Sequence, residues 1–135
     1  MVLRSFGLAA AIAFTSVFAS ACSVSTAAPA PAGGTLELTW TIAGTTDPSA
    51  CNQSVVDSLQ VTITDVNGAF FGNYAARCAD FAIAIDLPPG RFGGYAKLVD
   101  PGGNPRTTTI DIVPFDIISD TKLDVPIDFP SSSFE

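Results

Sequence analysis

The 135-residue sequence has no histidine, only six basic side chains, and two glutamates among its thirteen acids. Without imidazole the chain cannot form Ser–His or Cys–His catalytic pairs, and most zinc sites are excluded as well. The shortage of lysine and arginine argues against a nucleic-acid partner, because phosphate backbones are bound by clustered basic side chains. Aspartate, the main acid, disfavours helices and is common in turns. These features favour an all-β chain without a cofactor.

One catalytic arrangement is compatible with this composition, namely the carboxylate pair of glycosidases, which needs two acids across a cleft. The aspartates instead fall mainly at strand ends or at outward positions of predicted strands: Asp65, Asp86, Asp100, Asp111, Asp124 and Asp128. Solvation explains acids at such positions, and a small sandwich offers little cleft. We therefore expect a protein without enzymatic activity.

The first residues have the three parts of a secretory signal. Arg4 is the only charge before Glu37, and it is followed by an apolar run over 6–18 and by small residues at 19–21. This order is typical of a cleaved signal peptide. The run is too short for a transmembrane helix, which needs about 20 apolar residues. Residues 1–21 are therefore predicted to be a signal peptide.

The junction Ala19-Ser20-Ala21-Cys22 resembles the processing site of bacterial lipoproteins. The resemblance implies a lipid on Cys22 and, because Ser23 follows it, attachment at the outer membrane. Ordinary signal peptidase fits the same bond and would leave a secreted soluble protein with a plain thiol at Cys22. Residues 22–34 are uncharged and rich in Ser, Ala, Pro and Gly, which is typical of a tether. The expected partner is thus a membrane, contacted through the lipid anchor.

Alternation of apolar and polar residues predicts about seven strands. Their expected ranges are 35–42, 59–64, 69–76, 81–87, 91–99, 106–113 and 121–129. No window after the signal peptide shows a helical period, so residues 43–54 are predicted to form a loop. Trp40 lies on the apolar face of the first predicted strand and is expected in the core.

Turn residues and prolines divide these strands. The pair Asn67-Gly68 predicts a type I′ turn, in which both residues have positive φ, between the second and third strands. Pro114 is expected to end the sixth strand, and Pro126 is expected to place the seventh at a sheet edge. Phe71 is expected to point outward if its strand is regular, with coverage of both faces of the strand as the alternative. The whole pattern predicts a single antiparallel β-sandwich of the immunoglobulin-like or fibronectin III-like type.

Residues 87–92 (LPPGRF), 96–100 (AKLVD) and 103–104 (GN) carry a further resemblance. They are similar to the L-x-P-G-x-Y, A-x-L-x-D and G-N pattern of carboxypeptidase-regulatory-like and prealbumin-like (transthyretin-like) sandwich domains. The resemblance implies a structural or accessory domain, since those modules carry no active site of their own. The sandwich is assigned to residues 35–130 and a C-terminal tail to residues 131–135.

Cys51 and Cys78 remain if Cys22 carries lipid. They fall on either side of the first predicted hairpin, and thiols in an exported domain are expected to pair. The chain has no C-x-x-C motif for redox chemistry, and it has no histidine to complete a metal site. A bridge closing a loop of about 28 residues would stabilise the domain by roughly 3.5 kcal/mol.

Two turns have residues suited to calcium. Asp65 and Asn67 imitate the opening of a calcium loop, and Asp100 and Asn104 can supply further oxygens, although turn chemistry explains all four. No metal is therefore assigned.

A structural, scaffolding, or protein- or glycan-binding role is predicted, with an envelope protein or a glycan as partner. The aromatic residues near the hairpin, Phe70, Phe71 and Tyr74, are candidates for such contacts. A calcium-dependent adhesive module and a periplasmic carrier of a small ligand remain alternatives.

Overall fold

The structure, a computed structural model, describes residues 32–135 and confirms an all-β sandwich. The strands are β1 (Gly34–Ile42), β2 (Ser58–Asp65), β3 (Phe70–Arg77), β4 (Ala82–Leu87), β5 (Gly90–Val99), β6 (Ile110–Ile117) and β7 (Lys122–Phe129). Residues 1–31, which hold the predicted signal peptide, Cys22 and most of the tether, lie outside the described residues. Within the described part, no helix has both the length and the apolar character needed to span a bilayer.

The strands form a three-stranded sheet, β4–β1–β7, and a four-stranded sheet, β3–β2–β5–β6. Four of the five neighbouring pairs are antiparallel, and β1 and β7 are parallel, with Thr39 opposite Pro126. Alternation in a strand sets which side chains face inward but says nothing of the direction of its neighbour. The parallel pair is therefore a feature that the sequence pattern does not predict.

The inner faces of the two sheets meet in one core. Its most fully buried side chains include Leu36, Leu38, Leu59, Val61, Ile63, Leu98 and Phe129. Trp40 is only 1% exposed and packs against Phe81, with 6.1 Å between ring centroids, which confirms its predicted place. These side chains occupy the space between the two sheets. A periplasmic carrier of a small ligand, one of the alternatives above, would hold its ligand in that space.

A short helix, α1 (Pro48–Gln53), stands where a loop is predicted, so that prediction is wrong. The Asp47 carboxylate accepts a hydrogen bond of 2.9 Å from the Ser49 N–H, and this bond lowers the pKa of Asp47. Pro48 occupies the start of the helix. The N–H groups of the first turn have no partner within a helix, so the missing N–H of proline costs no hydrogen bond there. Six residues are too few to show a helical period, so these capping residues are the available sequence signal.

Strand β6 runs over Ile110–Ile117, so the prediction of a strand over 106–113 ended by Pro114 is wrong. Pro114 lies inside the strand, and β6 is an edge of its sheet. An edge strand tolerates proline because one row of its N–H groups has no partner strand. The same reasoning holds for Pro126 in β7, whose predicted edge position is confirmed.

The β2–β3 turn is not of type I′, because Gly68 has a positive φ of 78° and Asn67 does not. The Asp65 carboxylate accepts hydrogen bonds from the N–H groups of Asn67 (2.8 Å) and Ala69 (2.9 Å), which stabilises a longer connection. The register then shifts after Ile63. The sequence predicts the hairpin correctly and its turn type wrongly.

The last residues pack onto the sandwich. Residues Ser131–Ser133 form a 3-10 turn, and the Thr108 N–H donates to the Ser133 carbonyl at 2.8 Å. The Glu135 N–H donates to the Arg106 carbonyl at 3.0 Å, and Phe134 packs against the core. The segment 131–135, assigned to a tail from the sequence, is thus held against the domain.

Candidate functional site

A shallow groove of about 340 Å³ lies on the outer face of β3, β2 and β5. Its lining residues are Gln60, Thr62, Asn73, Tyr74, Ala75, Tyr95 and Lys97, and we call it the outer groove. In β2 the neighbouring residues Val61 and Ile63 are fully buried in the core. Because side chains alternate along a strand, Gln60 and Thr62 must point to the outer face.

Strand register places these side chains in two rows across the sheet. Thr62 lies opposite Asn73 on one side and Tyr95 on the other, and Asp111 of β6 extends this row beyond Tyr95. The second row consists of Ala75, Gln60 and Lys97, with Gln60 in the middle. Since neighbouring strands lie about 4.8 Å apart, the four-strand row is about 14 Å long.

The first row combines an apolar ring with polar groups. Tyr95 is 41% exposed, so part of its ring is available to a ligand. The Thr62 hydroxyl donates a hydrogen bond of 2.8 Å to Oδ1 of Asn73. This bond fixes the amide and leaves its NH₂ group to donate elsewhere. Aromatic surface beside fixed polar groups is typical of a ligand site.

Lys97 supplies the positive charge of the outer groove. The four ion pairs of the described residues involve Arg77, Arg91 and Lys122 as cations, and Lys97 joins none of them. Lys122, by contrast, hydrogen-bonds Glu37, which raises the pKa of Lys122. The Lys97 ammonium is therefore available to an anionic group on a ligand.

The residues considered for calcium lie in two separate turns. Asp100 accepts hydrogen bonds from the N–H groups of Asn104 and Gly102, both at 2.9 Å, as Asp65 does in its own turn. The bonds from Asn104 lower the pKa of Asp100. Among the described residues, no three acidic, cysteine or histidine side chains gather as a metal site.

The two turns also lie at opposite ends of the four-stranded sheet. Ser58, at the start of β2, pairs with Val99, next to Asp100, whereas Asp65 at the other end pairs with Phe92. The seven steps between Ser58 and Asp65 span about 23 Å of strand. The two turns therefore cannot contribute to one site.

The aromatic residues near the hairpin do not form one platform. Phe70 is 67% exposed, whereas Phe71 makes an edge contact with the buried Phe92, with 5.1 Å between ring centroids. The register shift after Ile63 brings Phe71 against this inward residue, yet Phe71 remains 42% exposed, so its side chain is neither fully outward nor buried. Tyr74 is half-buried and packs against the core.

Cys51 and Cys78 form the predicted disulfide, with an S–S distance of 2.03 Å. Neither is in a loop, since Cys51 lies in α1 and Cys78 begins a 3-10 turn. Both are almost fully buried. The bridge joins α1 to the 3-10 turn that precedes β4, and neither cysteine lines the outer groove.

Comparison with known proteins adds little to this geometry. No protein-family model matches the chain, and no curated protein matches it. A leucine-rich repeat protein of Bacteroides thetaiotaomicron is similar over 73% of this chain and 12% of its own length, at 12% identity and a TM-score of 0.48. A candidate polysaccharide-binding protein of the same organism is similar over 69% of this chain and 46% of its own length, at 11% identity and a TM-score of 0.39. This chain spans less than half of either protein, and neither likeness carries a functional argument.

Proposed function

We propose that the protein is a non-catalytic glycan-binding module, held at the cell envelope by a lipid on Cys22, and that the outer groove binds the glycan. The observation that carries the proposal is the row of Asn73, Thr62 and Tyr95, in which an exposed ring adjoins a fixed amide and a hydroxyl. The lipid follows from the resemblance of the Cys22 junction to lipoprotein processing sites.

Sugar rings suit this row because they present apolar C–H faces together with hydroxyl groups. The Tyr95 ring can cover a C–H face, as aromatic side chains do with flat apolar surfaces. The Asn73 amide, which Thr62 holds in place, can donate to a hydroxyl, and Gln60 in the next row can donate and accept. A groove open along the sheet also accommodates a polymer.

Lys97 favours glycans that carry a carboxylate. It lies next to Gln60 in the second row, on a chain whose formal net charge is −7. An ammonium beside a sugar carboxylate forms a charge-assisted hydrogen bond, which is stronger than the bond to a neutral hydroxyl. We therefore expect acidic polysaccharides to bind more tightly than neutral ones.

Titration calorimetry with polygalacturonate and with a neutral β-glucan tests the proposal. Tyr95→Ala should weaken binding of polygalacturonate about tenfold, the equivalent of a lost stacking contact of about 1.4 kcal/mol. Lys97→Gln should remove the preference for polygalacturonate over the β-glucan. Phe70→Ala is the matched control, since it removes an exposed ring outside the groove. Binding that Tyr95→Ala leaves unchanged, or no binding of either polymer, would contradict the proposal.

A further inference from the structure

Strand directions place several apolar side chains at one end of the sandwich. Strand β1 begins at Gly34, opposite Leu87, and the short connection after Leu87 leads to Gly90, opposite Ile117. Phe92 follows in β5 and pairs with Asp65, where the β2–β3 turn begins. The start of β1, the β2–β3 turn and the β6–β7 connection therefore share one end. We call it the tether end, because the chain enters the sandwich there.

Three apolar side chains at the tether end are largely exposed. Phe70 is 67% exposed, and Val66 and Ile118 are each 64% exposed. Val66 and Phe70 belong to the hairpin, and Ile118 directly follows β6, on the other edge of the same sheet. At the opposite end Val55 is exposed, and Val113, which is 77% exposed, lies in the middle of the edge strand β6 and at neither end. Exposed apolar side chains gathered at one end are typical of a contact surface.

We propose that the tether end rests on the lipid bilayer, with Val66, Phe70 and Ile118 inserted among the headgroups. The inference rests on the proposed lipid at Cys22. The twelve residues 22–33 reach at most about 43 Å when fully extended, so the lipid keeps the tether end near the surface. Once tethered, a weak contact forms readily because its local concentration is high. Apolar side chains then gain free energy by leaving water for the interface.

Charge does not drive this contact. Asp116 at the tether end is paired with Arg91 at 3.0 Å, and the Asp65 carboxylate is occupied by backbone N–H groups, whereas the exposed Asp120 is in none of the ion pairs of the described residues. Net charge is negative over the whole chain, so anionic headgroups would repel it. The contact is therefore expected on zwitterionic lipid and should not weaken when salt is added.

The chain from Cys22 to Glu135 retains all described strands, and the Cys51–Cys78 bridge leaves Cys22 as its single free thiol. This thiol can be coupled to a maleimide lipid in phosphatidylcholine vesicles. Phe70→Trp places an indole at the tether end, and Val55→Trp is the matched control at the opposite end. Brominated acyl chains then report contact by quenching the added indole, while the buried Trp40 gives the same background in both.

The added emission of Phe70→Trp should fall by roughly half, as expected of a side chain 5–10 Å deep in the interface. Val55→Trp should keep its emission, and high salt should change neither result. Equal quenching at both positions, no quenching of Phe70→Trp, or quenching that salt abolishes would overturn the proposal. Because the lipid is attached chemically, this outcome is separate from whether cells lipidate Cys22.

Discussion

At position 94 the four-stranded sheet leaves no room for a side chain. A Cβ on Gly94 would collide with the backbone carbonyl oxygen of Thr62. A Cβ on the adjacent Gly93 would meet Oγ1 of Thr64 at an ordinary 3.5 Å. We expect Gly94→Ala to destabilise the protein by about 1–3 kcal/mol, as overpacking does. Denaturant unfolding measures this change.

Gly93→Ala is the matched control for that prediction, because it also replaces a glycine of β5 with alanine. Its effect should stay within about 0.5 kcal/mol, as for most surface substitutions. Equal losses in the two variants would show that the strand needs glycine for its flexibility rather than for the close approach of Thr62.

The Asp100 turn predicts a pH dependence. Hydrogen bonds from Asn104 hold the pKa of Asp100 below its ordinary value, so the stability they contribute is full above that value and is lost as pH falls through the folded-state pKa. Asp100→Ala should lower the melting temperature at neutral pH, and the difference from wild type should shrink below about pH 3.9. Asp111→Ala, which removes an exposed carboxylate outside any turn, is the control. A difference that stays constant with pH would contradict this account.

Among the elements, most strands were predictable, whereas of their pairings only the β2–β3 hairpin was. Alternation in β1, β2, β4, β5 and β7 gives their positions because each has one face in the core. Helix α1 is too short for a period, and β6 carries a proline that only its edge position permits. Pairing depends on contacts between distant residues, so the parallel β1–β7 pair had no local signal.

The disulfide joins two short elements, α1 and the turn that begins at Cys78. The double variant Cys51→Ala/Cys78→Ala should lose about 3.5 kcal/mol of stability, since a loop with a sequence separation of 27 is no longer closed in the unfolded chain. Denaturant unfolding of the variant and of reduced wild type gives the comparison. Similar losses of stability in both proteins would assign the loss to the missing bridge. An unchanged unfolding midpoint in the double variant would contradict the predicted stabilisation.

At the scale of the whole molecule, the outer groove was only partly predictable. The outward positions of Tyr95 and Lys97 follow from alternation in β5. The row that joins Tyr95 to Thr62 and Asn73 depends on the register of three strands, which the β2–β3 bulge and long-range pairing decide. Phe70 and Phe71, which stood out in the sequence, do not line the outer groove; the bulge brings the exposed Phe71 against Phe92 instead.

The proposed anchor is likewise a property of the whole molecule. Cys22→Ala should abolish partitioning of the exported protein into detergent, because removal of the acyl chains removes its stable membrane attachment. Cys51→Ala is not a suitable control, since it breaks the bridge, so Ser23→Ala serves instead. Partitioning that survives Cys22→Ala would rule out the anchor.

The parallel pairing of β1 and β7 decides how the domain responds to mechanical force. Strand β1 starts at the tether end, and β7 finishes at the opposite end with Phe129 beside Ile42. A pull between the anchored start and the C terminus therefore drives the two strands past each other along their length. Their hydrogen bonds are loaded together in shear, rather than opened one at a time as in a zipper. If Cys22 carries the proposed lipid, a load on the C terminus would therefore reach the membrane through a strand pair that is loaded in shear.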